Sequence, residues 1–139
     1  MSEAANAIET WLRQWISAHG GVAGTVHLRR GDDMTLAAAV NIPPPVVAIV
    51  GVVPKGKGMA GLAFERDVPV STCNLKTDTT GDVRPGAKAV DANAAVAIPV
   101  HDAAGEIRGV VGIAYRGERA MDDGELALLT REAEAVPAA

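Results

Sequence analysis

The chain is poor in the residues that most often announce chemistry. Its 139 residues hold one cysteine, Cys73, and aromatic side chains make up only 3% of them. A lone thiol excludes an internal disulfide framework and fits a reducing compartment, so a cytosolic location is expected. With aromatics scarce, a core must be built from Val, Ala, Ile and Leu, within a hydrophobic content of 48%. Basic residues are outnumbered, 13 Lys and Arg against 17 Asp and Glu for a net charge of −4, and no basic stripe is evident. That argues against nucleic acid or an anionic membrane surface as a partner. The longest apolar run, Val46 to Val53, is far short of the ~18 residues a membrane span needs. The N-terminus also lacks the basic segment and apolar core of a secretory signal. At this length the chain reads as one domain, residues 1–139, large enough to bury a real core.

What the chain does have is a glycine-rich stretch near its middle, Val53 to Ala63, carrying two motif matches. Gly56-Lys57-Gly58-Met59-Ala60-Gly61 satisfies G-x-G-x-x-G, with Asp78 further on where an acidic residue could hold a ribose. A dinucleotide site needs a strand running straight into the first glycine and a crossover helix whose N-terminus cradles pyrophosphate. Here Pro54 and Lys55 intervene, and the helix can run only from about Gly58 to Arg66 before Asp67-Val68-Pro69 ends it. The glycines therefore read as a tight turn and a close helix contact. Gly51 to Lys57 fits the first seven positions of a P-loop, but the eighth is Gly58 instead of the magnesium-binding Ser or Thr. Phosphate chemistry of that kind is excluded, and Lys55 and Lys57 are expected in solvent.

The remaining elements follow from periodicity. Residues 3–18 predict a helix, capped by Ser2, with Ile8, Trp11, Leu12, Trp15 and Ile16 on one stripe and His19-Gly20-Gly21 as the stop. Val22–Arg29 and Met34–Asn41 predict a hairpin around Arg30-Gly31-Asp32-Asp33. Met34, Leu36, Ala38 and Val40 are expected on one face of its second strand. Pro43-Pro44-Pro45 break that strand, and the apolar segment 46–53 is ambiguous between strand and helix, with helix preferred. A short strand is expected at 68–72, then a hairpin of Ala94–Asp102 and Glu106–Tyr115 with Ile107, Val111, Ile113 and Tyr115 on one face. A last helix, Met121–Ala135, should be capped by Asp122 or Asp123 and ended by Pro137. His27 and His101 are expected at exposed or half-exposed strand positions, without metal-site spacing.

Two features point to a binding cleft. Each strand has a bulky face and a small one, the latter carrying Ala23, Thr25, Ala37, Ala39, Ala95, Ala97, Gly112 and Ala114. Small residues leave room above a sheet or admit a close helix. Residues 74–93, rich in Thr, Asp, Gly and Pro, predict a long loop of the kind that caps a pocket. The candidate ligand-binding residues are Met59 at the helix start, Cys73 and Asn74 where the short strand ends, and Asp78, Arg84 and Asp91 in the loop.

This order of elements resembles the GAF domain family of small-molecule sensory modules. The resemblance is carried by Val52-Val53-Pro54-Lys55-Gly56-Lys57-Gly58-Met59-Ala60-Gly61, then Pro69-Val70 with Asn74-Leu75. It continues through Ala97-Ile98-Pro99-Val100-His101-Asp102, Gly105 and Gly109-Val110-Val111-Gly112-Ile113, and ends in Glu125-Leu126-Ala127-Leu128-Leu129. It implies an α+β, profilin-like fold with a central antiparallel sheet of five or six strands. The terminal helices lie on one face, where members often dimerise, and pocket loops lie on the other. Cyclic-nucleotide-binding members carry an Asn-Lys-Phe-Asp-Glu signature, of which Asn74 and Lys76 echo only the start. Tetrapyrrole-binding members use bulky aromatics that are nearly absent here. The branch that reduces free methionine-R-sulfoxide places a cysteine where this chain has Ala60 and further cysteines in the loop, where this chain has none. Sulfoxide reduction needs a thiolate and a resolving thiol. The resemblance thus implies a stand-alone, non-catalytic sensor for an unidentified small metabolite, dimeric through its terminal helices. A protein-interaction module with a vestigial pocket is the alternative, and a redox enzyme the third reading. No cofactor is specified.

Overall fold

A computed structural model of the chain describes residues 3–72, 94–116 and 122–137. Among the described residues, ten elements follow one another: α1 (Glu3–Ala18), β1 (Ala23–Arg30), β2 (Asp33–Val40), α2 (Pro44–Val50), β3 (Val52–Pro54), α3 (Gly58–Arg66), β4 (Val70–Thr72), β5 (Ala94–His101), β6 (Ile107–Tyr115) and α4 (Asp123–Ala133). The six strands form one antiparallel sheet in the order β3-β2-β1-β6-β5-β4. The α+β architecture expected from the resemblance is present.

Helix α1 ends as its glycines require. Gly20 takes φ 71°, its N–H reaches Ser17 O at 3.4 Å, and the N–H of Gly21 reaches Ile16 O at 2.9 Å. This is a Schellman closure, which needs a left-handed residue just past the helix. Helix α4 starts with the Asp122 side chain accepting the Glu125 N–H at 2.7 Å, which satisfies one of the free donors of its first turn. Ser2 and Met121 lie outside the described residues. The ambiguous segment resolves into both options: the helix α2 runs through Val50, and Val52–Pro54 then adds an edge strand beside β2. An edge is where Pro54 is tolerated, because a missing N–H can face away from the ladder.

Helices α1 and α4 cover one face of the sheet. Ile8, Leu12, Trp15 and Ile16 pack with Leu129 and Ala133 against Val26, Val96, Ile98, Val100, Val111, Ile113 and Tyr115. On the opposite face, Leu62, Ala63 and Phe64 of α3 pack with Met34, Val53, Ala97 and Val110. Val46 of α2 joins Ala23 and Ala114 beside them.

Two strands do not keep the simple alternation their sequences predict. Val26 faces Ala38 while His27 faces Leu36, so Ala37 is an extra residue in β2. A bulge of this kind shifts the side-chain phase by one. Ala38 and Val40 therefore serve the α1 face, whereas Met34 turns to α3 with Val53 and Leu62. The four residues do not share a face. A second bulge sits where Val100 faces Gly109 and His101 faces Ile107, leaving Arg108 unopposed. Ile107 accordingly packs on the α3 side, apart from Val111, Ile113 and Tyr115.

Candidate functional site

The small residues of the sheet do leave space. A cavity of about 130 Å³ lies between the sheet and α3. Its floor is made by Thr25, Ala95, Ala97 and Gly112, and Met59 and Ala60 of α3 form its roof, with Ile42 at the side. No charged residue lines it among the described residues. A larger recess of about 500 Å³ near the end of α1 is lined by Arg13, Ser17, Asn41 and Arg116. Its polar groups are already engaged: Arg13 meets Glu9 at 3.2 Å, and Asn41 Nδ2 donates to Val22 O at 2.9 Å. The apolar cavity is the better candidate, because its lining is uncommitted.

The glycine turn positions its roof. Gly56, at φ 83°, donates its N–H to Gly61 O at 2.8 Å, and Lys57 donates to Pro54 O at 3.2 Å. A Cβ on Gly61 would stand 2.5 Å from Pro54 O, so only glycine lets α3 approach β3 this closely. The N–H groups of Gly56 and Lys57, which a phosphate loop would turn toward its ligand, are bound within the turn. The motif is structural, as its context in the sequence indicates. Lys55 remains exposed, but its ammonium sits 5.3 Å from the Phe64 ring centroid, and the Arg29 guanidinium 5.2 Å from it. Both cations are thus drawn to the single phenylalanine.

His27 contradicts its expected exposure. It is 3% exposed, on the α3-facing side of β1. Its Nε2 lies 2.8 Å from Val50 O at the end of α2. A carbonyl can only accept, so Nε2 carries the proton and Nδ1 is bare, with no partner among the described residues. Burial pushes this imidazole below its ordinary pKa, partly offset by the bond to Val50, and it is neutral. The reason lies in topology: α2 folds back over β1, a placement that strand alternation alone does not reveal.

His101 is half-exposed, as expected, but it is not idle. Its Nδ1 lies 2.7 Å from Glu134 Oε2 and its Nε2 lies 2.6 Å from Asp67 Oδ1, while its backbone N–H donates to Glu134 Oε1 at 2.7 Å. A ring held between two carboxylates donates from both nitrogens, so Glu134 first and Asp67 second raise its pKa above the ordinary value. Asp67 is the left-handed residue closing α3, at φ 55°, and Glu134 stands at the end of α4. The bulged Arg108 completes the junction. Its Nε donates to His101 O at 2.9 Å, and its Nη2 to Glu134 O and Val136 O, each at 2.9 Å. One imidazole thus ties the helix roofing the cavity to a helix on the far face. Sequence reasoning missed this, since its partners lie 33 and 34 residues away and no local pattern links them.

Of the sequence-predicted site residues, Met59 lines the cavity. Cys73, Asn74, Asp78, Arg84 and Asp91 lie outside the described residues. Thr25, Ala60 and Ala95 were not singled out as ligand contacts, although the small-face pattern held the signal for all but Ala60. Among the described residues, no group of three His, Cys, Asp or Glu side chains could hold a metal ion. No helix among them is long and apolar enough to cross a membrane.

A family model described as a GAF domain matches residues 2–138. No match was found among curated protein sequences. Among solved structures, the chain is similar to a GAF domain/HD domain protein from Geobacter sulfurreducens, at 12% identity and a TM-score of 0.74, covering 96% of this chain and 89% of that one. It is similar to the GAF domain of an Acinetobacter phosphoenolpyruvate-protein phosphotransferase, at 17% identity and a TM-score of 0.73, covering 98% and 82%. It is also similar to the free methionine-R-sulfoxide reductase from Neisseria meningitidis, solved in complex with its substrate, at 16% identity and a TM-score of 0.66, covering 95% and 83%. At such identities the likeness is one of fold.

Proposed function

The chain belongs to the GAF domain family, and on that footing we propose that it is a sensory or regulatory module that binds a small metabolite in the cavity roofed by Met59. The observation that carries this reading is the cavity itself, an apolar space of about 130 Å³ between α3 and the small face of the sheet. Occupancy acts on the position of α3, and the His101 bridge to Glu134 gives α4 a direct tie to that helix. The module pairs with a second copy through its terminal helices, where Trp11 stacks on Trp15 with ring centroids 5.3 Å apart and stays partly exposed. It is not an enzyme of the sulfoxide-reducing kind. Run within one chain, that cycle needs two thiols, and Cys73 is the chain's one cysteine.

Native mass spectrometry on the freshly purified protein tests this reading. A reproducible added mass, released on denaturation, is the expected result. Bare protein from several preparations, with no probe binding in the cavity, overturns it. A Trp11→Ala variant is expected to weaken the dimer. If bare protein remains dimeric until Trp11 is truncated, the second reading takes over: an interaction module whose working surface is α1.

A further inference from the structure

The geometry points to a ligand class: a small, uncharged, mainly apolar molecule of about one six-membered ring, carrying one hydrogen-bonding group that meets the Thr25 hydroxyl. This deepens the sensory reading and rests on it. Size is the first argument. Clefts for drug-sized ligands usually hold ~300–1,000 Å³, whereas this cavity holds about 130 Å³. An engineered apolar cavity of about 150 Å³ is known to stay dry and to bind benzene or xenon. A nucleotide or tetrapyrrole would extend well beyond the space that the described residues bound.

Charge is the second argument. Bringing an ionised group into an apolar site carries a desolvation penalty that only a counter-charge or dense hydrogen bonding offsets. Among the described residues, Arg29, Lys55, Asp67 and His27 on this side of the sheet are turned elsewhere. Arg29 donates to Gly31 O at 2.9 Å and lies over Phe64, and Lys55 lies over the same ring. Asp67 is bound to His101 at 2.6 Å, and His27 is neutral and bound to Val50 O at 2.8 Å. None of them lines the cavity.

The third argument is Thr25. Its Oγ1 stands 3.0 Å from where a Cβ on Gly112 would lie, so it occupies the floor at the point where the neighbouring strand has no side chain. Thr25 is partly buried and lines the cavity. No hydrogen bond from its hydroxyl is made to any described residue. A hydroxyl with no partner among the described residues, beside an apolar space, favours a ligand that brings one polar atom to it. Met59 above it is unbranched and adapts its shape to such an occupant.

The test is methyl-detected NMR titration of the whole chain with benzene, phenol, benzoate and a cyclic nucleotide. Phenol and benzene are expected to shift the methyl signals of Met59, Ala95 and Ala97 saturably, with phenol the tighter. Thr25→Val keeps the volume and removes the hydroxyl. It should weaken phenol about fivefold, the worth of one ordinary hydrogen bond, and leave benzene unchanged. Ala95→Leu should abolish both by filling the space. Saturable binding of benzoate or the nucleotide with exclusion of benzene would overturn the ligand class while leaving the sensory reading standing. Equal phenol affinity in the parent and Thr25→Val removes the hydroxyl's role and overturns the class as stated. Silence of all four probes in a protein that also retains no mass overturns both.

Discussion

Strand β5 shows the two faces of the molecule side by side. Its residues Val96, Ile98 and Val100 are buried in the layer under α1 and α4, while Ala95 and Ala97, which alternate with them, point to α3 and border the cavity. The same backbone, in the same register, supports a filled layer on one side and a space on the other. The difference is a few methyl groups per residue, each contributing about 0.8 kcal/mol when buried. A fold under pressure for stability alone would fill both sides. Keeping small residues on one side forgoes that burial, which is what a site built to receive something else requires.

The comparison breaks most visibly through the filled face. Leu12→Ala, at a position 0% exposed between α1 and the sheet, is expected to cost about 2–5 kcal/mol of stability in urea unfolding. A loss below about 1 kcal/mol would mean that this face is also loosely packed. A sharper contrast comes from adding volume on each side. Ala133→Val on α4, at a fully buried position, should cost about 1–3 kcal/mol through overpacking. Ala95→Val, beside the cavity, should fall within about 1 kcal/mol of the parent or exceed it. Equal penalties for the two would erase the distinction between the faces.

The smallest expected effect concerns the histidines, which respond to pH with opposite sign. The pKa of His101 is raised in the folded protein by Glu134 and Asp67. Its contribution is therefore complete below the unfolded value of about 6.5 and is lost as pH rises through the folded value. The pKa of His27 is lowered by burial, so its contribution is present above about 6.5 and is lost as pH falls through the folded value. Comparing the parent with His101→Gln isolates the first term. The advantage of the parent in urea midpoint should shrink as the pH is raised from about 6 to about 8. An advantage constant across that range would mean that the imidazole bridges the two faces without taking a proton.

Much of this was legible before the structure. Period and punctuation predicted α1, α3 and the β5–β6 hairpin within a residue or two, because the stripe of Ile8, Leu12 and Trp15 and the stops at Gly20 and Asp67 are local signals. The helix that ends where Asp67 turns left-handed is one whose sequence says so. The small face also foretold the space. Three things were not legible, each for a physical reason. The phase shifts at Ala37 and Arg108 depend on the partner strand, which periodicity within one strand does not encode. The burial of His27 depends on a carbonyl 23 residues away. The His101 junction joins side chains from three elements, which only the completed sheet brings together.

The bulge at Ala37 changes how the chain reads as a message. It works as an inserted letter: upstream of it, Met34 is addressed to α3, and downstream Ala38 and Val40 are addressed to α1. Read on an unbroken two-residue beat, Met34 and Val40 would share one address. A reading that ignores the inserted letter sends half of the strand to the wrong face, since a one-residue slip exchanges the faces of everything beyond it. Removing Ala37 itself would keep both addresses, because the ladder would then close with Leu36 beside His27 and Ala38 beside Val26. Two relatives of this domain aligned without a gap at that point, one with the bulge and one without, can therefore match letter by letter and still disagree about which residues face α3.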